Sequence, residues 1–399
     1  TEVKVIGKTN LSGTSKKTGK DYNINMVYVT HKANGVEGES CEEIALQANS
    51  YPLRDIIIGK VYDVDRDSRG KGIKVFEIGS DGEWELTQLV EGVVHPSFLC
   101  TDRTGQFLYT VHGDGSTVSA YRIGLDGRLS FLNTASVRGL NPVHLAVDRS
   151  NRWLYLVSHR SGTIAVLPIG EDGLLSEARH VYRDDSPEGG FSHPRQVLFD
   201  HTMQYLVIPS QGLKEGAGKI AVYRVDSETG ALEKTDEFLA RKHAEPRHCV
   251  FRPDNRFLYC VNEWDYSITT FHFDAGYGTL EPRQIVSTLP DTMIAQGWAS
   301  AIDISDSGDF LYTTDRSYHA VFWFSVAPDG RISFCGNTPT GGVQPRFMCG
   351  EKGTGKLYAA NECSDTIVEY ALDSRSGEPK PTGRIVSAES PVCILFLKR

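Results

Sequence analysis

Arginine and histidine recur directly after prolines that are spaced regularly along the chain. The motifs HPSFLC, NPVHLAV, HPRQVLF, EPRHCVF, QPRFMC and SPVCILF begin at residues 95, 141, 193, 245, 344 and 390. Arg195, Arg247 and Arg346 directly follow a proline, and His144 and His248 lie one position further on. Guanidinium groups bind phosphate or carboxylate through paired hydrogen bonds, and imidazole is the usual general base near neutral pH. If the fold brings these motifs together, they predict a site for a small anion.

A structural interpretation of the same residues remains open. Asn262-Glu263, Asp315-Arg316 and Asn361-Glu362 recur downstream of these motifs, and the arginines could pair with such acids and tie neighbouring repeats together. The presence of three arginines and two histidines in these motifs favours the ligand site over the structural interpretation. The sequence has no G-x-S-x-G nucleophile elbow, phosphate loop or Rossmann fingerprint, and no metal-like spacing of cysteine and histidine. No cofactor and no metal are therefore predicted.

The elements that must position these residues repeat with a period of 46 to 52 residues. Each motif opens a first strand, and a second strand such as RFLYCV (256–261) and a third such as YSITTFHF (266–273) follow before a glycine turn and a fourth strand. The second strand occurs seven times, from GKVYDV (59–64) to GKLYAA (355–360). Seven units of four antiparallel strands predict an all-β fold, a seven-bladed β-propeller. The motifs and the residues that follow second strands should then share one channel mouth.

Two details of the ring follow from the same count. One unit, GWASAIDI from residue 297, lacks the proline, and Ala299 and Ser300 are predicted to take the two positions after it. The chain enters the repeat on the second strand at 59–64 and ends on a first strand at 390–397. The propeller is therefore predicted to be closed by both termini, which together build the last blade.

Residues 1–58 do not fit the repeat and are predicted to form a small N-terminal β extension, while residues 59–399 form the propeller. The segment GTSKKTGKDYNI in this extension is weakly similar to the small OB-fold single-stranded-DNA-binding proteins of phages. A solvated hairpin with lysines at its tip is the plainer interpretation, since the extension carries seven basic and seven acidic residues. The two interpretations remain open.

Composition limits the partners and the compartment. The formal net charge is −9, and residues 59–399 carry 35 basic against 44 acidic residues, which disfavours non-specific nucleic-acid binding by the propeller. Nucleic-acid contact is predicted only through residues 1–58. No apolar run approaches the roughly 18 residues of a membrane helix. The eight cysteines contain no C-x-x-C pair, which suits buried thiols in a reducing compartment, so cytoplasm is predicted. The oligomeric state is left open.

The ordered motifs resemble those of the lactonase family of seven-bladed propellers. The segments that carry the resemblance include HPSFLCTDRTGQFLYTVHG, EPRHCVFRPDNRFLYCVNE, STLPDT, DFLYTTDRS and NECSDTIVEY, and it extends over residues 59–399, about 85% of the chain. The family includes the cycloisomerase-2-type 6-phosphogluconolactonases and, more distantly, fungal carboxymuconate-cyclising enzymes. The resemblance implies hydrolysis of a sugar lactone that bears an anionic group. This chain departs from the family at Arg195, where histidine is usual, at Glu245, where a small residue is usual, and at Ala301, where an acid is usual.

The resemblance and the chemistry of the residues together suggest a mechanism. His248, or alternatively His144, would act as general base oriented by Glu263, and Arg247 would stabilise the oxyanion. Two other functions remain open: a non-catalytic binding or scaffold propeller whose N-terminal unit mediates oligomerisation or contact with single-stranded nucleic acid, and a carboxymuconate-type lactonising enzyme. The predicted partner is a small anionic metabolite. Its binding residues would be Arg195, Arg316, Arg346, Asn262 and His193.

Overall fold

The computed structural model describes residues 3–14, 21–32, 39–47 and 72–397, apart from positions 80, 188, 291, 294 and 295. The chain divides into two compact units, Thr1–Arg66 and Asp67–Arg399. The described residues of the first unit form one antiparallel sheet in the order β1-β2-β3. These strands are β1 (Val3–Thr14), β2 (Asp21–Lys32) and β3 (Glu39–Gln47).

The second unit is an all-β propeller, and the described residues contain no helix. Six antiparallel blades follow one another along the described chain, five with four strands and one, blade 3, with five, and each is ordered from its first to its last strand. Blade 1 contains β6 (Pro96–Thr101), β7 (Phe107–His112), β8 (Thr117–Ile123) and β9 (Leu129–Ser136); blade 2 contains β10 (Pro142–Val147), β11 (Trp153–Ser158), β12 (Thr163–Pro168) and β13 (His180–Arg183); blade 3 contains β14 (His193–Pro194), β15 (Leu198–Phe199), β16 (Tyr205–Gln211), β17 (Lys219–Val225) and β18 (Leu232–Leu239).

The other three blades keep the same order, and a separate hairpin precedes blade 1. In blade 3 the predicted first strand is split into β14 and β15 by residues 195–197. The remaining strands are β4 (Gly72–Ile78) and β5 (Trp84–Glu91) in the hairpin; β19 (Pro246–Phe251), β20 (Phe257–Asn262), β21 (Ser267–Asp274) and β22 (Thr279–Ser287) in blade 4; β23 (Ala299–Ile304), β24 (Phe310–Asp315), β25 (Ala320–Val326) and β26 (Ile332–Pro339) in blade 5; and β27 (Pro345–Glu351), β28 (Lys356–Asn361), β29 (Thr366–Leu372) and β30 (Pro379–Ser387) in blade 6.

The core lies between adjacent blades. The second strands β7, β11 and β20 are buried along their whole length, because each lies inside its own sheet and between two sheets, whereas the fourth strands alternate and face solvent on one side. The turn glycines add to this packing. Gly173 has φ 83°, and a Cβ there would lie 2.2 Å from the ring of Phe107 in the preceding blade. Gly330 packs on Phe257 in the same way. Both turn glycines have positive φ, which residues with a side chain rarely adopt.

The seventh blade is described only in part. Residues 391–397 carry no strand among the described residues, and the partner predicted for them at 59–64 lies outside those residues. The first strand predicted at 390–397 therefore stays a prediction. Residues 388–397 lie along β4, where Lys74 pairs with Glu389. Residues of both segments line a cavity of about 470 Å³. Closure by both termini stays a prediction.

Candidate active site

One backbone hydrogen bond recurs at the start of blades 1, 2, 4, 5 and 6. The carbonyl of the residue before the proline position accepts a hydrogen bond from the N–H of the residue that follows the second strand. This bond places the residues after second strands at equivalent positions beside the start of the first strand. The four examples that matter here are Asn141 with His159 (2.9 Å), Glu245 with Glu263 (2.9 Å), Trp298 with Arg316 (2.9 Å) and Gln344 with Glu362 (3.0 Å).

A β-bulge next to this bond sets the direction of the arginines. The register between first and second strands shifts between Pro246 and His248, and again between Pro345 and Phe347. Arg247 and Arg346 are the bulged residues, which have no partner in the second strand, and a bulge re-aims such a side chain. Arg195 lies in the break between β14 and β15, where its N–H bonds Pro209 O at 2.9 Å. The predicted convergence of these arginines thus has a common backbone cause.

Blade 5 requires a correction of one residue. Ala299 pairs with Asp315 as Pro246 pairs with Asn262, so Ala299 takes the position of the proline itself. Ser300 and Ala301 therefore occupy the positions of Arg247 and His248, and the prediction that Ala299 and Ser300 would do so was wrong. Without a proline to mark the register, the sequence pattern could not place this bulge.

Three arginines converge on Glu263. Arg316 pairs directly with its Oε1, Arg247 Nε lies 3.5 Å from Oε2, and Arg195 Nη2 lies 3.9 Å from the same atom. The three arginines and Glu263 are all buried, with exposed fractions of 3–6%. The same carboxylate accepts hydrogen bonds from Gln211 Nε2 (2.7 Å) and Trp298 Nε1 (2.8 Å). Glu263 is therefore the centre of the cluster and bonds to arginines, whereas the prediction had it orient His248.

Positive charge exceeds negative charge in this cluster. Arg346, 3.3 Å from Glu362, interacts with the other three arginines, so four guanidinium groups share two carboxylates. Burial lowers the pKa of Arg195 to about 10, although the nearby Glu263 opposes this change. Burial alone would raise the pKa of Glu263, but the arginines hold it well below its usual value. The Nε atoms of Arg195, Arg247 and Arg316 have no hydrogen-bond acceptor among the described residues. The cluster can therefore accept an anion.

Two histidines lie next to the arginines in a layer of rings. His144 stacks on Phe98 at 3.9 Å between centroids and lies 6.0 Å from His248, and Phe347 contacts Phe98 at 5.9 Å. Burial and the charge of Arg247 lower the pKa of His144 to about 3 and that of His248 well below its usual value. Both imidazoles are therefore neutral at pH 7.

The hydrogen bond between Arg247 and His248 fixes the tautomer of the histidine. Arg247 Nη1 lies 3.2 Å from His248 Nδ1, and a guanidinium can only donate. Nδ1 must therefore accept, and the proton of the neutral ring lies on Nε2. In this arrangement His248 presents a hydrogen-bond donor to a ligand. By contrast, His144 Nδ1 is buried and has no partner among the described residues.

Comparison with known proteins identifies the family. The sequence profile described as Lactonase, 7-bladed beta-propeller, matches residues 55–396. The chain belongs to the lactonase family of seven-bladed β-propellers. The family predicted from the motifs is thereby confirmed. Proteins named 6-phosphogluconolactonase are similar to this lactonase-family chain: that of Pectobacterium carotovorum is 32% identical, over 82% of this chain and 95% of its own, and that of Bacillus subtilis is 27% identical over the same shares.

Solved structures and one further relative extend the comparison. The periplasmic gluconolactonase PpgL of Pseudomonas aeruginosa superposes with a TM-score of 0.74 and 25% identity, over 82% of this chain and 94% of its own. An uncharacterised protein of Lactococcus lactis, YwcC, is 26% identical over 97% of this chain and 98% of its own length. A match over that share must extend into residues 1–58, which lie outside the lactonase profile up to residue 54.

The cluster does not include two of the residues predicted to bind substrate. His193 Nδ1 bonds His159 O at 2.8 Å, and its Nε2 lies 3.0 Å from Glu215, so its contacts lie between blades 2 and 3. Asn262 Nδ2 donates to Ser267 and Thr269 within blade 4, where it fixes the turn after β20. The geometry of this lactonase-family protein gives both residues structural contacts.

The sequence analysis missed Gln211 and Trp298. Gln211 ends the second strand of blade 3 and pairs with His193, so it corresponds to Glu263 of blade 4. It also links the cluster to a further imidazole, because its Oε1 lies 3.0 Å from His159 Nε2. Its place after a second strand was a signal that could have found it. The described residues contain no group of three metal-ligating side chains, and no described helix is long and apolar enough to cross a membrane.

Proposed function

We propose that this protein hydrolyses the lactone of a phosphorylated sugar acid at the arginine cluster. One observation carries the proposal: four guanidinium groups, three of them almost fully buried, form their ion pairs with two carboxylates, Glu263 and Glu362, among the described residues. A phosphate monoester supplies up to two negative charges and three acceptor oxygens, which suits an excess of guanidinium donors. The similarity to proteins named 6-phosphogluconolactonase supports the same substrate class.

The reaction adds water to the lactone carbonyl carbon and breaks the bond from that carbon to the ring oxygen, which leaves as a hydroxyl group. Negative charge develops on the carbonyl oxygen in the transition state. Arg247 and the Nε2–H of His248 are adjacent donors that would stabilise this charge. Because the tautomer of His248 leaves it no free lone pair, the alternative base, His144, would take the proton of the attacking water.

Anion binding would also prepare the base. Burial is the main cause of the lowered pKa of His144, and the charge of Arg247 lowers it further, so a phosphate that neutralises the cluster would reverse the second part of this shift. Arg195, Arg316 and Arg346 would hold the phosphate. Substrate binding would therefore make His144 a stronger base.

The test is a pH-stat assay with purified protein on 6-phosphogluconolactone and on unphosphorylated gluconolactone. We expect acceleration over buffer for both, with kcat/KM at least about a hundredfold higher for the phosphorylated lactone, because two or more charge-assisted hydrogen bonds are gained. Arg346→Met should reduce this preference, while Arg152→Met, at an exposed pair with Glu228, should not. No acceleration for either lactone would refute the proposal.

A non-catalytic anion-binding propeller is the second candidate. Two observations favour it: no carboxylate is hydrogen-bonded to His144 or His248 among the described residues, and Ala301 stands where the resemblance implies an acid. Calorimetry that detects phosphate-ester binding without turnover would support this candidate. Contact of residues 1–58 with single-stranded nucleic acid stays a prediction, which requires a salt-dependent shift of a labelled oligonucleotide that is lost when those residues are deleted.

We also propose that residues 59–64 complete the seventh blade. The support is the cavity that lies along β4 and residues 388–397, together with the strand-like sequence GKVYDV. Deletion of residues 1–64 should then lower the melting temperature far more than deletion of residues 1–58, and equal effects would exclude this closure. A cytoplasmic location is likewise a proposal, supported by the free thiols of Cys100, Cys249, Cys260, Cys335, Cys349 and Cys393 and tested by cell fractionation.

A further inference from the structure

An exposed tryptophan lies at the edge of the arginine cluster and is held rigidly. Trp298 Nε1 donates to Glu263 at 2.8 Å, and the guanidinium carbon of Arg316 lies 3.8 Å from the centroid of the indole ring. Its backbone is held as well, because its N–H donates to Asp315 Oδ2 at 2.7 Å and its carbonyl accepts from Arg316 N–H at 2.9 Å. These four contacts fix both the backbone and the plane of the indole.

Despite these contacts, 39% of the Trp298 surface is exposed. Arg316 covers one face of the indole and Glu263 accepts from its N–H edge, which leaves the opposite face and its rim for contact with a ligand. A large apolar ring fixed in this way loses little conformational entropy when a ligand packs on it. A purely structural clamp between Glu263 and Arg316 needs only the N–H and one face, and leaves the other face without a structural role.

We propose that Trp298 is a specificity-determining residue whose free face packs against the ring of the sugar whose phosphate the arginines bind. A six-membered sugar ring has a face of C–H groups, and an indole face suits it because both surfaces are apolar and flat, and the electron-rich ring attracts positively polarised C–H groups. The inference rests on the proposed function for the phosphate position and adds the recognition of the ring. It would explain how the site separates a cyclic sugar phosphate from other phosphate monoesters.

The position of Trp298 in the repeat supports a role beyond scaffold. Trp298 takes the place held by Asn141, Glu245 and Gln344 in blades 2, 4 and 6, and its carbonyl makes the same bond as theirs. The backbone bond therefore needs no particular side chain at this position. Blade 5 uses the position to place an aromatic surface beside the anion site.

The test compares two phosphate monoesters in calorimetry: glucose 6-phosphate, which has the ring, and glycerol 3-phosphate, which does not. In Trp298→Leu we expect the affinity for glucose 6-phosphate to fall about tenfold and that for glycerol 3-phosphate to change less than about twofold. Trp298→Phe should restore most of the difference, since it keeps an aromatic face. Tyr277→Leu, at a residue 74% exposed in the turn between β21 and β22, is the control and should change neither affinity.

Each outcome decides the inference. An equal fall for both ligands in Trp298→Leu would mean that the indole only holds Glu263 and Arg316, and would overturn the proposal, as would no change for either ligand. If the wild-type protein binds both esters but hydrolyses no lactone, the proposed reaction fails while the comparison of affinities still tests Trp298. If the wild-type protein binds neither ester, the phosphate site and this inference fall together.

Discussion

Replacement of Glu263 by glutamine should make the folded propeller dependent on bound anions. Glu263 is the carboxylate that Arg195, Arg247 and Arg316 share, and all four side chains are buried. Removing one partner of a buried ion pair typically destabilises a protein by about 3–5 kcal/mol, since the remaining charge stays desolvated without a counter-charge. Glutamine keeps the shape and an acceptor oxygen, so the change isolates the loss of negative charge. We expect Glu263→Gln to lose stability in this range.

Inorganic phosphate should restore much of this loss. A ligand at a hundred times its Kd adds about 2.7 kcal/mol to the free energy of unfolding. The variant has one more uncompensated positive charge than the wild-type protein, so it should bind phosphate more tightly and gain more. The assay is urea unfolding with and without phosphate at constant ionic strength. Glu228→Gln, at the exposed pair with Arg152, is the matched control and should behave as wild type in both conditions.

Two results would refute this reasoning. One is a Glu263→Gln variant as stable as wild type in the absence of phosphate, which would mean that the arginines do not depend on this carboxylate. The other is a variant that phosphate stabilises no more than it stabilises the wild-type protein, which would mean that the excess charge does not bind anions.

Three further predictions follow from the described contacts. Arg247→Lys should lower kcat for lactone hydrolysis by about a hundredfold, because its donor to the oxyanion is displaced; unchanged kcat would exclude that role. The folded pKa of His144 near 3 lies below its usual 6.5, so stability is full above pH 6.5 and falls as the pH drops, by about 2 kcal/mol at pH 5. His144→Phe should remove this part of the acid sensitivity in urea titrations at pH 7.5 and 5. Lys219→Met leaves the buried Asp184 without its cation, 2.8 Å away, and should cost about 3–5 kcal/mol of stability with kcat/KM unchanged.

The sequence predicted the propeller because one strong signal was repeated. A glycine is required wherever φ is positive and an aromatic ring from the preceding blade approaches, as at Gly173 and Gly330, so the period could be counted from turns alone. The convergence of the arginines could also be predicted, since the proline that precedes Arg247 and Arg346 marks the same bulge in both blades. Structural features that recur in every repeat can therefore be predicted from the sequence alone.

The contacts across blades could not be predicted in this way. The pairing of Glu263 with three arginines depends on side chains from blades 3, 4 and 5, which are 16 to 68 residues away along the chain. No pattern in the sequence indicates that the carboxylate of Glu263 pairs with the arginines and not with the neighbouring His248. The one-residue shift in blade 5 escaped prediction because Ala299 replaces the proline that marks the register elsewhere.

The buried arginines themselves argue for a binding site. The lowered pKa of Arg195, about 10 against 12.5 in water, corresponds to about 3 kcal/mol of unfavourable free energy for keeping this one group charged in the folded protein. One more carboxylate would neutralise the arginines better. Ser300 and Ala301, however, occupy the positions of blade 5 that match Arg247 and His248 of blade 4. The backbone can sustain this arrangement because carbonyl bonds and bulges, which do not depend on the side chains, hold the guanidinium groups in place. The anion that we propose would relieve this unfavourable free energy, so part of its affinity would already be stored in the folded protein.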